Sequence, residues 1–560
     1  MTIHNMQTTT FDKAGFDQWK EAAVQSLKGK PFDSLITKTI EGIDLQPLYT
    51  QESLAKRALP IRSAKQETGW IVAQQPYATD GQQYVAELKN SIERGNEAIV
   101  CDGTKPLNWD DSSLAEIAQL MKQYPIFITN MKHDNSFLRV FSLVPEVDRS
   151  SVNGAISVSN WTIPAGYANV RTACADMWEV HHKGADAVTE LALVLADAAN
   201  QASKVDNFSG FADDFFVQFA VDTHFFMEVS KFRAFRVLWQ AFCSAYGVAE
   251  APYVPIIATT SLRSYSKLDP YVNVLRAGNE TFAAVLGGAD VITVHPHNII
   301  TGPTSSSVRM ARNIQLVIKE ETNTDKVIDP SGGSYFMETL TSELIDKAWT
   351  LFLEIQFSGG YDAFIISDEF GKLLEQRRGD VSRGKQSLIG TNVYAELKDT
   401  NFTDWDGIQL EGRLAEPFEK LAALQQDSAT RIALLTFGEL KDFKPRADFV
   451  SGFLATGGMR AEWSPAFDNA QQAVSWLADE KPDYAIVCAT SNLTETVVEQ
   501  LLAGRQEELV LDVAGKYDSA LSETWLNAGL NGFIYAGQDK VGKLMAINNK
   551  LEGGAPDEQA

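Results

Sequence analysis

RIALLTF (431–437), YAIVCAT (484–490), ELVLDVAG (508–515) and GFIYAG (532–537) are four apolar runs of strand length, each followed by a helical pattern. A weaker run, MRAEWS (459–464), stands between the first two, ahead of a helical pattern near Asn469–Asp479. Strands that are apolar almost throughout, set between helices, indicate a parallel sheet covered on both faces. Ligands of such sheets bind beyond the carboxyl ends of the strands. Those ends carry Gly438–Phe443, Ser491–Asn492, Ala514–Gly515 and Ala536–Gly537, small and polar residues suited to loops around a ligand or a partner. The last of the 7 histidines is His297, so no imidazole from this region can ligate a metal.

Upstream, from about Gly69 to Leu397, short apolar runs alternate with helical segments. EAIVCD (97–102), YPIFITN (124–130), NVRTACAD (169–176), FFVQFAVD (215–222), VPIIATTS (254–261) and DVITVHPH (290–297) are strand candidates. Helical patterns cover Ala185–Ala202, Phe225–Tyr246 and Tyr271–Leu286. Repeated strand–helix units over this length predict an α/β fold with a TIM-type (β/α)8 barrel, whose chemistry would sit at the carboxyl ends of its strands. Ahead of it, Phe11–Leu27 has an apolar helical face, and SLITKTIEGIDLQPLYT (34–50) alternates like an extended arm. The arm either covers its own barrel or wraps a partner subunit, because its apolar residues would not stay exposed. The expected organisation is an N-terminal helix and arm (1–68), a barrel (69–397), a linker (398–430) and a flavodoxin-like domain (431–560) ending in a disordered tail.

A chain of 560 residues is too long for one core. With 49 Lys and Arg against 73 Asp and Glu, the net charge of −24 disfavours nucleic acid or an anionic membrane as partner. The four cysteines, 101, 174, 243 and 488, form no CxxC pair and no disulfide-dense pattern, which predicts a reducing, cytoplasmic setting. The first residues show neither a secretory nor a transit pattern, and no run of 18 apolar residues occurs.

Several segments carry a resemblance. FFMEVSKFRAFRVLW (225–239), DPYVNVLR (269–276), MARNIQ (310–315), VIDPSGGSYFMETLT (327–341), LIGTNVY (388–394) and the arm's EGIDLQPLY (41–49) occur in the order found in the methylmalonyl-CoA mutases. The chain resembles that family along nearly its whole length. The resemblance implies a barrel that handles acyl-CoA and a C-terminal cobalamin-binding-type domain. The family's cobalamin domain carries Asp-x-His-x-x-Gly, Ser-x-Leu and Gly-Gly after successive strands. Ser491-Asn492-Leu493 matches the second and Ala514-Gly515 half-matches the third, but Leu440, Asp442 and Pro445 replace the first. Asp442, Ser491, Leu493 and Gly515 are therefore degenerate pocket positions.

In the barrel, the catalytic members carry Gly-Tyr-His-Met before Gln-Glu-Ala-Gly. Here Trp178 and Glu179 take the places of that Tyr and His, and a carboxylate there would repel developing negative charge on a thioester oxygen. The family's acyl-CoA motif opens on an arginine that IIATTSLRSYS (256–266) lacks; Arg263 is out of register with it, and His295 keeps a family position alone. The resemblance thus implies the non-catalytic small subunit, with no catalytic residue and no metal site of its own. It would pair with a homologous large subunit that binds adenosylcobalamin and acyl-CoA. The alternative is an acyl-CoA mutase, or an acyl-CoA or cobalamin-binding module, of altered specificity. Other features read as structural: His181-His182 as a solvated helix face, DPSGGS (329–334) as a turn, and Arg233 with Arg236 as part of an ion-pair network with Glu228 and Lys231.

Overall fold

The computed structural model describes residues 9, 15–54, 65, 67–104, 106–133, 135–405, 408, 412–426, 428–506 and 508–552. Two short strands, β1 (Thr37–Lys38) and β2 (Asp44–Leu45), form an antiparallel hairpin in the arm. Among the described residues nine strands follow: β3 (Ile71–Ala73), β4 (Ile99–Asp102), β5 (Ile126–Met131), β6 (Asn153–Val158), β7 (Asn169–Arg171), β8 (Ala173–Asp176), β9 (Phe215–Val221), β10 (Ile256–Thr260) and β11 (Val291–Thr293). They make two parallel sheets, in the orders β4-β5-β6-β7 and β3-β11-β10-β9-β8. The last strand thus pairs with the first, and β7 runs into β8 past Thr172 alone. Beside β4, Val72 of β3 exchanges contacts with Glu97, whose backbone N–H donates to the Val72 carbonyl at 2.8 Å while its carboxylate accepts the Val72 N–H at 2.8 Å.

The period of two along these strands sorts their side chains between two environments. Ile99, Ile128 and Ile156 pack outward, as do Val217, Phe219, Ala258 and Ile292, under the surrounding helices. Their neighbours in sequence converge instead on one shared interior cluster: Ala73, Val100, Phe127, Ala155, Cys174, Phe216, Ile257 and Val291. Residues from both sheets meet in this cluster, so it fills the space between the two sheets. Crowding there is severe at Gly154, where a β-carbon would lie 1.9 Å from the Ile126 carbonyl oxygen, so β6 can approach β5 only with glycine at this position.

The C-terminal unit has β12 (Ile432–Phe437), β13 (Ala461–Phe467), β14 (Tyr484–Cys488), β15 (Val510–Ala514) and β16 (Gly532–Ile534). All pairs are parallel, in the order β13-β12-β14-β15-β16. Apolar clusters lie on both faces of the sheet, as the unbroken apolar strands require. The helix after β12 spans Leu440–Ala455, and a Glu439–Asp442 capping box starts it ahead of Pro445.

The arm divides in two. Ile43 is buried in the main core, Tyr49 stacks near Phe336 at 5.1 Å, and the Ser53 carbonyl accepts from Thr339 Oγ1 at 3.2 Å. This half covers its own helix, Tyr335–Phe357. The helix Phe16–Ser26 buries no residue; Phe16 contacts Trp19, and Trp19 contacts Phe32. Phe11, expected on that helix, and the tail beyond 552 lie outside the described residues. Among the described residues no helix is long and apolar enough to cross a membrane.

Candidate functional site

The carboxyl ends of the nine strands define one rim. Asp102 and Asp176 close β4 and β8, Asp222 and Ser261 follow β9 and β10, and His295 and Tyr77 stand in the loops after β11 and β3. The Trp178 ring lies against His182 at 4.4 Å and His295 at 5.5 Å. His295 Nδ1 hydrogen-bonds Tyr77 Oη at 3.1 Å, and its Nε2 is buried with no partner. Burial holds the rings of His295 and His182 neutral, each pushed down to about 3. Burial raises the Asp176 carboxyl to about 6, although its Oδ1 accepts the Trp178 N–H at 2.9 Å.

Two expectations at this rim are corrected. Glu179 does not point its carboxylate inward, because its side chain is 79% exposed and pairs with Lys183 at 2.6 Å. The indole of Trp178, not the carboxylate of Glu179, packs against His182 and His295 there. His181 and His182 are not solvated: both are buried, with ring centroids 5.1 Å apart. The short helix Trp178–His182 runs into the unit and turns both rings inward. His181 bridges Glu190 at 2.7 Å and Ser261 Oγ at 2.7 Å, while His182 Nδ1 contacts the Trp178 carbonyl oxygen at 2.8 Å.

Behind the rim lies a buried charge network. Lys231 Nζ meets Glu190 at 2.8 Å, Glu228 at 2.7 Å and the Ala220 carbonyl at 2.9 Å, with all three side chains almost wholly buried. Burial, opposed by Lys231, raises the Glu228 carboxyl to about 8. Arg263 donates to the carbonyls of His181 (2.7 Å) and Ala185 (2.9 Å) and pairs with Asp222. This guanidinium is a strut between loops rather than a ligand clamp. Arg233 and Arg236 go to separate acids, Asp329 (2.8 Å) and Asp290 (2.7 Å). The DPSGGS turn is structural too, since the Gly333 N–H donates to the Glu338 carboxylate at 2.9 Å. Pattern reading passed over Glu190 and His181 as network members; the signal was an acid inside the otherwise apolar ELALVLA (190–196).

In the C-terminal unit the strand order reverses at β12, so the crevice lies between the carboxyl ends of β12 and β14. That crevice is filled by the chain itself. Arg446 donates to Ser491 Oγ at 2.8 Å and to Tyr517 Oη at 2.8 Å. A β-carbon on Gly438 would lie 3.0 Å from both Leu493 and Asp442, and one on Gly515 would lie 3.4 Å from Arg446. Asp442 spends its carboxylate on the Glu439 N–H at 3.0 Å, capping the helix. The four degenerate positions thus converge on one crevice, but around Arg446 and not around an open slot. Among the described residues no cluster of three or more His, Cys, Asp or Glu could hold a metal ion.

The sequence model for methylmalonyl-CoA mutase matches residues 166–446. The fold is that of an α/β protein with parallel sheets, and the chain belongs to the methylmalonyl-CoA mutase family. Over 97% of its length it is 26% identical to the methylmalonyl-CoA mutase small subunit of Porphyromonas gingivalis, covering 98% of that chain. It is 31% identical to a probable methylmalonyl-CoA mutase small subunit of Mycobacterium tuberculosis over 58% of this chain and 56% of that one. The methylmalonyl-CoA mutase of Cereibacter sphaeroides is 28% identical over 75% of this chain and 70% of its own.

Proposed function

We propose that the chain is the non-catalytic small subunit of a heterodimeric methylmalonyl-CoA mutase, in which a homologous large subunit binds adenosylcobalamin and interconverts methylmalonyl-CoA and succinyl-CoA. In this reading residues 69–397 are a closed TIM-type barrel, 1–68 its arm, 398–430 a linker and 431–560 a degenerate cobalamin-binding-type domain. The observation that carries the proposal is the filled interior. Phe127, Phe216, Ile257 and Val291 fill the interior between the two sheets, each less than a tenth exposed, which leaves no open channel there for an acyl-CoA chain. Such a core is built for packing density rather than for a ligand.

The residues present do not fit adenosylcobalamin. The domain has no histidine to offer cobalt, and Arg446 with Tyr517 fills its crevice. At the rim, Trp178 stands at the family's tyrosine position and Glu179 turns away to solvent. Support for a partner comes from the surface. Between the helices Val272–Gly287 and Ser305–Thr322 lies an apolar groove of about 480 Å³ lined by Val274, Phe282, Ile314 and Val317. Tyr271 and Leu275 beside it are 74% and 72% exposed. Contiguous apolar surface of this kind marks interaction sites.

The test is co-expression with the homologous large subunit, followed by size-exclusion chromatography and a mutase assay with adenosylcobalamin. A one-to-one complex carrying all of the activity is expected. Turnover of methylmalonyl-CoA by the isolated chain above a no-protein control would refute the reading.

A further inference from the structure

A second cavity, of about 790 Å³, opens outside the loop Gln74–Tyr77 that follows β3, between the helices Gly81–Ile92 and Ser305–Thr322. Arg94, Arg309 and Arg312 line it, and the backbone around Ser305 and Ser306 forms one wall. Arg312 is 4% exposed; its Nη1 reaches Ser91 Oγ at 3.3 Å, and its Nε is buried without a partner. Arg94 bonds only the neutral Asn90, at 3.1 Å, and neither Arg94 nor Arg309 has an ion-pair partner among the described residues. The one carboxylate in the lining, Glu87, is engaged by the Tyr77 N–H at 3.1 Å and by Gln83 at 2.8 Å.

This grouping runs against the composition of the chain. With 73 acidic residues available, the buried Arg233, Arg236, Arg263 and Arg413 are ion-paired, while the buried Arg276 and Arg377 donate to backbone carbonyls at 2.5 to 2.9 Å. Here three guanidiniums repel one another; burial, then Arg94 and Arg309, weaken the hold of Arg312 on its proton. The helix beginning at Ser305 adds to the positive field. The Thr304 hydroxyl takes the Ser307 N–H at 3.2 Å, and the amides of Ser305 and Ser306, in the first helical turn, have no intrahelical acceptor. A buried donor without an acceptor and an uncompensated positive cluster are both satisfied by one anion with several oxygens.

We infer that this cavity binds the phosphate groups of a small phosphorylated molecule, with Arg312 and the Ser305–Ser306 amides as the inner donors and Arg94 and Arg309 as the outer clamp. The volume suits a ligand of nucleotide size. The two outer arginines are exposed, so replacing them leaves the fold intact, whereas Arg312 supports the packing of both helices.

The experiment is calorimetric titration of the full chain with inorganic pyrophosphate and with ADP, at ionic strength held constant with sodium chloride. Saturable binding is expected, weakened about tenfold or more in the double variant Arg94→Ser/Arg309→Ser. It should be unchanged in Arg139→Ser, a remote exposed arginine paired with Asp111. A sedimentation arm with vesicles of phosphatidylcholine and phosphatidylglycerol separates a soluble phosphate ligand from a lipid headgroup, and no retention is expected. The inference is overturned if neither pyrophosphate nor ADP binds saturably. It is equally overturned if the double variant binds as tightly as the parent, if Arg139→Ser weakens binding as much, or if only the vesicles retain the chain.

Discussion

Replacing Lys231 with methionine tests the buried charge network directly. The ammonium sits between Glu190 and Glu228 at 2.8 and 2.7 Å and also caps the Ala220 carbonyl at 2.9 Å. Methionine keeps most of the volume, so the loss is electrostatic rather than a cavity. Removing one partner of a buried pair costs about 3–5 kcal/mol, because the remaining charge stays desolvated. For a domain of this size that lowers the melting temperature by roughly 6–10 °C. The loss should depend on pH. Glu228 is already raised to about 8, so in acid the orphaned carboxylates take up protons and stop repelling. Scanning calorimetry at pH 5.5 and pH 8 should therefore show the larger deficit at pH 8. Adding Glu190→Gln to Lys231→Met should recover part of it, since the two changes act on one network. A melting temperature within about 2 °C of the parent at pH 8, or equal deficits at the two pH values, would show that the network does not carry the energy assigned to it.

Other outcomes follow from the same geometry. Glu179→His alone, or Asp442→His alone, should leave the isolated chain without mutase activity, because the interior and the crevice stay filled and the parts of a site act as a unit; turnover by either variant with adenosylcobalamin would contradict this. Asp176, raised to about 6 mainly by burial, binds its proton more tightly folded than unfolded, so its contribution to stability is fully present in acid and is lost as pH rises from near 4 to 6. Asp176→Asn keeps the acceptor for the Trp178 N–H and should gain stability relative to the parent across that window in urea titrations; a constant difference at all pH values would be the wrong result. Deleting residues 1–35 should weaken co-purification with the large subunit while leaving the melting temperature within a few degrees, since the helix Phe16–Ser26 buries nothing on its own chain. Deletion through Ser53 should also lower stability, because Ile43 and Tyr49 pack on the core.

The crevice and the interior are both occupied by the chain's own side chains. At the crevice, Arg446 and Tyr517 satisfy with their own hydrogen bonds the space a ligand would otherwise occupy. At the rim, Trp178 adds aromatic packing against two neutral histidines. Both arrangements satisfy polar and aromatic groups from within the chain, which favours packing.

The sequence by itself determined the two α/β units, because period and length are local properties: apolar runs such as RIALLTF and YAIVCAT are strands buried on both faces in any register. It also determined the absence of a C-terminal imidazole, which is a matter of counting. Its reading of Glu179 identified the residue but not its direction, and that of His181-His182 mistook two buried rings for solvated ones. Helical spacing does not say which way a five-residue helix enters a rim; the packing of Trp178, His182 and His295 does. Only the tertiary structure brought Phe127 and Phe216, 89 positions apart in the chain, into one interior cluster, and likewise Arg94 and Arg312 to the walls of one cavity. Such encounters are decided by strand order and register, which depend on contacts far apart in sequence, and no local pattern encodes them.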